Sequence, residues 1–216
     1  MSARGAPGAG AASAAAPRQR SGERVAYTPQ SLLAVAVEAF NQRGYDGTSM
    51  EDLAHATGIT KSSIYHHVRS KEELLRLAVS RALDRLFAML EQPEACTGRS
   101  IDRLEHMVRS SVQVLVDELP YVTLLLRVRG NTDAEQWALQ RRREFDRRVS
   151  EMVRSAVEDG DLRDDVDPRL TTRLLFGMIN SVVEWYEPSG TGSATELADA
   201  VMRLAFDGLR RRDPAT

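Results

Sequence analysis

The sequence predicts an all-α chain of about nine helices, with an N-terminal three-helix unit containing a helix-turn-helix and a larger C-terminal helical domain. Three observations predict it. Apolar residues recur at helical spacing almost throughout, with none of the sustained alternation a strand needs. Helix-start signals, Ser or Thr followed three residues later by a carboxylate, stand at Ser49, Ser70, Thr132 and Ser193. Between Thr48 and Lys71, Ala54, Gly58 and Ile64 are spaced for two short helices crossing about a tight turn.

The elements follow in order. Residues 1–24 are Ala, Gly, Ser, Pro and Arg with almost no large apolar side chain, and are expected to form a disordered arm. Arg18, Arg20 and Arg24 lie there either as a solvated leader or along phosphates or a minor groove. Residues 25–72 form the helix-turn-helix domain. Thr28-Pro29 opens its first helix, with Leu32, Leu33, Ala36, Val37 and Phe40 inward, and Gly44 closes it. Ser49 caps the second, with Asp52 reaching back, and Gly58 supplies the left-handed turn. Thr60 caps the third, where Ile64 and Val68 face inward and Lys61, Ser62, Ser63, Tyr65 and His66 face away.

Residues 73–216 form the second domain. Ser70, with Glu73 as capping-box partner, opens a long connecting helix that ends at Pro93, and Cys96 to Gly98 reads as loop. A helix from Ser100 stops before Pro120, and a short one from Tyr121 to about Val128 is apolar on most sides. Thr132 and Glu135 open a long helix ended by Gly160, with Trp137 and Phe145 inward and Arg141, Arg142, Arg143, Arg147 and Arg148 largely outward. Asp167-Pro168 opens a helix reaching Tyr186, and Ser193 with Glu196 opens the last, to about Arg211. The helix from Pro168 has too many apolar residues for one stripe. It is expected to pair with its neighbour and with the same two helices of a second copy, through Leu174, Met178, Val182, Leu197, Val201 and Leu204, as a homodimer.

Composition bounds the function. With 216 residues, 42% hydrophobic and 28% charged, the chain is ordinary for a globular protein. Its one cysteine, Cys96, excludes an intrachain disulfide. No apolar run approaches the ~20 residues of a membrane span and no signal peptide is evident, so a cytoplasmic protein without membrane association is expected. Net charge is only −2, but residues 18–71 carry seven basic against five acidic side chains, among them Lys61 and Lys71, the only lysines.

The block Gly58-Ile59-Thr60-Lys61-Ser62-Ser63-Ile64-Tyr65-His66-His67-Val68-Arg69-Ser70-Lys71-Glu72-Glu73-Leu74, preceded by Phe40-Asn41-Gln42-Arg43-Gly44-Tyr45-Asp46-Gly47-Thr48-Ser49, resembles the DNA-binding region of TetR-family transcriptional regulators. The resemblance spans Thr28 to about Leu77. Val68 departs from it, standing where the family more often has Phe. The resemblance implies that Thr48, Thr60, Tyr65, His66 and Lys71 hold the phosphate backbone of double-stranded DNA, with Lys61, Ser62 and Ser63 nearest the bases. It further implies a repressor released when a small-molecule effector in the C-terminal domain swings the helix from Ser70. Two recognition helices about 34–36 Å apart would read a palindromic operator.

Candidates for an apolar effector pocket are Met107, Leu125, Trp137, Phe145, Met178 and Trp185, with Arg141 at its edge; the same residues also suit plain core packing. The stretch Gly177 to Gly190, with its Trp185-Tyr186 pair, resembles the TetR subgroup that controls fatty-acid, sterol and phenylacetate catabolism and responds to CoA thioesters. That resemblance implies an acyl chain in the pocket and Arg127, Arg129, Arg141 or Arg142 on the CoA phosphates; the alternative for these arginines is a solvated face paired with Glu144 and Asp146. No catalytic constellation and no bound cofactor is expected: the four histidines show no metal-ligand spacing and there is no Gly-rich phosphate loop. The competing class is a helical small-molecule-binding or interaction protein that does not bind DNA.

Overall fold

The computed structural model describes residues 28–190 and 192–210, so the expectation for residues 1–24 lies outside the described residues. Ten α-helices run in the order α1 (Pro29–Arg43), α2 (Met50–Thr57), α3 (Lys61–Tyr65), α4 (Lys71–Leu90), α5 (Pro93–Cys96), α6 (Ser100–Asp117), α7 (Leu119–Arg127), α8 (Asp133–Glu158), α9 (Pro168–Ser181) and α10 (Ala194–Leu209). Among the described residues the only β pairing is an isolated bridge between Leu162 and Arg210.

Local chemistry sets most boundaries. Thr28, Ser49, Thr60, Ser70, Thr132 and Ser193 each accept the backbone N–H three residues on, satisfying donors the helix itself cannot reach. Carboxylates return the bond at Ser49, Thr132 and Ser193. At Ser70 this fails, because Glu73 accepts from the Arg69 N–H instead. Gly58 ends α2 at φ 68° and ψ 17°, the left-handed conformation a side chain would strain.

Two boundaries differ from the sequence reading. Pro93, expected only to break a helix, also begins one: it fixes φ at the first position of α5, and Arg103 Nε donates to the Ala95 carbonyl at 3.0 Å near its end. The helix from Pro168 stops at Ser181 and tightens into a single 3₁₀ turn over Val182–Glu184. That shift leaves Trp185 half exposed and turns Tyr186 inward, its hydroxyl donating to the Gly192 carbonyl at 3.3 Å.

The helices share one continuous core. α1, α2 and α3 close around Leu32, Phe40, Leu53 and Ile64. α4 carries that core into the second domain through Leu74, Leu75, Val79 and Leu83, packing against α6, α7 and α8. α9 packs on α8 and α6, and α10 on α6. On this outer layer Leu174 and Leu204 stand out at 63% and 74% exposure, joined by Leu170, while Met178 and Leu197 are half buried. Val182 and Val201 correct the expected interface: both are buried inside the protomer, because the end of α9 turns toward α7 and the inner face of α10 lies on the core.

Candidate nucleic-acid interface and inner cavity

The outer surface of the helix-turn-helix is polar. Thr60, Lys61, Ser62, Tyr65 and His66 are exposed and Ser63 half buried, while Ile64 and Val68 anchor the same segment in the core. Thr60 Oγ1 lies 2.9 Å from both the Ser62 and Ser63 hydroxyls, so the cap and the first turn of α3 form one hydroxyl cluster. Lys61 pairs with Glu51 of α2; the hydrogen bond holds the Glu51 carboxyl below the usual range and the Lys61 ammonium above it. Both side chains are solvent-exposed, so a phosphate can displace Glu51 at little cost.

Thr48 and Lys71 sit differently from what the family resemblance implied. Thr48 is 1% exposed, and its hydroxyl donates to the Gly44 and Ala39 carbonyls at 2.8 and 3.3 Å. It locks the turn between α1 and α2. Lys71 Nζ donates to the Tyr45 and Thr48 carbonyls, each at 2.8 Å, and lies 4.1 Å from the centre of the Tyr45 ring. Burial, then the nearby Glu72, pushes the Tyr45 hydroxyl up to about 12. These two side chains hold the reading head together from within. Arg69, not singled out in the sequence, is exposed between α3 and α4.

Deeper in the chain, a cavity of about 230 Å³ opens between α4, α6, α7, α8 and α9. Its apolar wall includes Leu86, Leu115, Val122, Leu125, Phe145 and Phe176. Its polar lining is Ser111, Asn180, Arg142, Asp146 and Arg173. Burial lowers the affinity of Arg142 for its proton and raises that of Asp146, whose carboxyl is partly held down by Arg142 and Arg173. Arg142 Nη1 also donates to the Leu125 carbonyl at 3.3 Å.

Of the seven expected pocket residues, Leu125 and Phe145 line this cavity. Met107 is fully buried core outside it. Trp137 stacks under Arg76, whose guanidinium lies 3.9 Å from its ring. Arg141 pairs with Glu144 and covers the Phe87 ring at 3.8 Å. Met178 and Trp185 fall on the other side of α9 and beyond its end. Arg127 donates to the Asn41 carbonyl at 2.8 Å rather than facing the cavity. Arg142, expected on coenzyme A phosphates or on a solvated face with Asp146, instead lines the cavity together with Asp146 on the next turn, an i,i+4 charge pair facing inward. Such pairs normally lie on solvated faces, which is why the periodicity did not mark it.

α7 touches both regions. It contributes Val122, Leu125 and Leu126 to the cavity and packs on α1 of the helix-turn-helix. At that junction the Asn41 amide donates to the Pro120 carbonyl at 2.8 Å, and Arg127 returns a bond to α1. Arg81 of α4 clamps Glu118 before α7 with bonds of 2.7 and 3.2 Å. After α7, the buried Glu135 carboxylate accepts the N–H groups of Arg129, Asn131 and Thr132, and Glu72 of α4 accepts that of Ala134 at 3.0 Å.

Comparison with known proteins places these features in a family. Residues 32–78 match the family described as bacterial regulatory proteins, tetR family, and residues 97–209 match the tetracyclin repressor-like C-terminal domain. The chain is 28% identical over 188 residues to the HTH-type transcriptional repressor KstR2 of Rhodococcus jostii, covering 82% of this chain and 89% of that protein. A solved TetR-family regulator from Streptomyces coelicolor A3 superposes with a TM-score of 0.80 at 62% identity, covering 86% of this chain and 94% of that one. The structure of AibR in complex with isovaleryl coenzyme A and operator DNA superposes with a TM-score of 0.71 at 24% identity, covering 85% and 98%.

Proposed function

The chain belongs to the TetR family of bacterial transcriptional regulators, and we propose that it is a dimeric, cytoplasmic repressor released from a palindromic operator by an acyl or aryl coenzyme A thioester. The observation that carries the reading is α7, whose residues wall the cavity on one side and bear on α1 on the other. An occupant that needs a wider cavity than the DNA-bound form allows displaces its walls, α7 among them. Because α7 is tied to α1 by Asn41 and Arg127 and to α4 by Arg81, the displacement reaches the reading head. Coupling then equals the difference in effector affinity between the two arrangements.

On the reading head, Lys61, Ser62 and Ser63 face the bases and Thr60, Tyr65 and His66 the phosphates. Lys61 exchanges Glu51 for a phosphate on docking. The exposed Leu170, Leu174 and Leu204 support a dimer formed through α9 and α10, which sets the spacing of the two heads. Within this reading residues 25–72 are the DNA-binding domain, residues 73–216 the effector and dimerisation domain, and the protein has no enzymatic role. The coenzyme A complex of AibR supports the effector class, and the chain's likeness to the repressor KstR2 supports repression.

A gel-shift titration with the DNA upstream of the protein's own gene tests the reading. The expected result is a salt-sensitive complex, since each neutralised phosphate releases counterions, and its loss on adding octanoyl coenzyme A but not octanoate. A complex indifferent to every acyl and aryl coenzyme A tried would remove the effector assignment. No complex at any salt concentration would remove the repressor assignment.

A further inference from the structure

A second pocket, of about 690 Å³, lies at the seam between the helix-turn-helix and the second domain. One side is the end of α1 and the turn after it, and the other is the end of α7 and the loop leading to α8. Domain seams of this size are common places for small-molecule sites. Of its lining, Leu126 alone also lines the inner cavity, so the two are built from different residues.

Three arginines and two acids line the seam. Arg43 lies 3.5 Å from Asp52, and the Glu135 carboxylate is taken up by three backbone N–H groups. Arg127 gives one N–H to the Asn41 carbonyl, yet among the described residues neither Arg127 nor Arg129 pairs with a carboxylate. Asp46, on the α1–α2 turn, forms no ion pair and no side-chain hydrogen bond among the described residues. All three are exposed. The uncommitted charges are therefore two guanidinium groups from the end of α7 and one carboxylate from the reading head.

Asn41 adds an independent sign. It lines the pocket, and while its Nδ2 donates to the Pro120 carbonyl, its Oδ1 is buried without a donor. A buried acceptor left unsatisfied costs free energy, and such groups are rare without a reason. An occupant carrying N–H groups can supply that donor. Tyr45 and Leu126, both half buried, add apolar surface to the same lining. Guanidinium groups match a carboxylate with paired, charge-assisted hydrogen bonds, and an ammonium completes an unpaired carboxylate.

We propose that the seam is a second ligand site that takes an α-amino acid with a large apolar side chain, its carboxylate on Arg127 and Arg129, its ammonium facing Asp46 and its side chain on Tyr45 and Leu126. Held between the α1–α2 turn and the loop before α8, such a ligand ties the reading head to the second domain and shifts operator affinity. Binding at the seam is independent of the coenzyme A thioester assignment, and only the operator effect rests on the repressor reading.

Isothermal titration of the full chain with L-phenylalanine, 3-phenylpropionate and phenethylamine tests it, on the unaltered protein, on Arg129→Gln and on Asp46→Asn. L-Phenylalanine binds the unaltered protein, and each analogue, lacking one of its charges, binds about tenfold or more weaker. Arg129→Gln weakens L-phenylalanine and 3-phenylpropionate and leaves phenethylamine unchanged. Asp46→Asn does the reverse to the two analogues and also weakens L-phenylalanine. No binding of L-phenylalanine, L-tryptophan or L-leucine overturns the site. So does binding that neither substitution alters, which puts the amino acid elsewhere, the inner cavity included. 3-Phenylpropionate binding as tightly as L-phenylalanine overturns the amino-acid assignment in favour of a plain carboxylate. In gel shifts, L-phenylalanine at a concentration that fills the unaltered protein changes operator affinity several-fold, and operator DNA changes its affinity by the same factor. Operator affinity that ignores bound L-phenylalanine overturns the coupling and leaves the site standing. Absence of any operator complex removes the repressor reading, and the titrations still decide the site.

Discussion

At the scale of single residues, what a side chain touches inside the protein decides whether it is free to touch DNA. Lys61 and Thr48 make the contrast. Lys61 is exposed and held only by a solvated pair with Glu51, so Lys61→Ala should lower operator affinity and reduce the slope of log affinity against log salt by about 1. Thr48 spends its hydroxyl on two internal carbonyls, so Thr48→Val should leave that slope unchanged and instead destabilise the protein by about 1–2 kcal/mol in urea denaturation. Asp146 offers a pH test. Burial raises its pKa, so its charged form costs stability above the folded pKa, and the cost disappears below the unfolded value near 3.8. Asp146→Asn should therefore melt at a higher temperature than the unaltered protein at pH 7, with the gap closing as pH falls toward 4.

At the scale of elements, the decisive contacts cluster at the two ends of α7. The Glu135 carboxylate gathers three N–H groups just after α7 in a buried position, making it the strongest point of that connection. Glu135→Gln replaces one acceptor oxygen by a donor facing those N–H groups. The expected loss is about 2 kcal/mol or more in stability, with the operator complex becoming less responsive to effector because α8 no longer follows α7. Urea midpoints and effector-titrated gel shifts read the two consequences separately. Helix starts were legible in the sequence because a cap and its carboxylate are local, three residues apart. The helix at Pro93 and the early end of α9 at Ser181 were not, since the first is supported by Arg103 from α6 and the second by packing against α7.

At the scale of the whole molecule, the dimer proposed through the exposed leucines of α9 and α10 would set the distance between two reading heads. Leu174→Arg combined with Leu204→Arg places charge on that apolar surface without touching the core. Sedimentation should show a monomer, and operator affinity should fall by on the order of a hundredfold or more because each half-site is then bound alone. A dimer that survives both substitutions would place the interface elsewhere.

The sequence by itself determined the helical class, most helix starts and the helix-turn-helix, because caps, glycine turns and helical periodicity act over a few residues. It also marked α9 as apolar on too many sides for one neighbour. Only the tertiary structure decided which apolar residues enclose space and which simply fill it. Leu125 and Phe145 meet at a cavity while Met107 and Trp137 do not, and Val182 and Val201 turn inward where Leu174 and Leu204 turn out. Those outcomes depend on the rotation and crossing of helices far apart in the chain, and periodicity gives a face but not what the face meets.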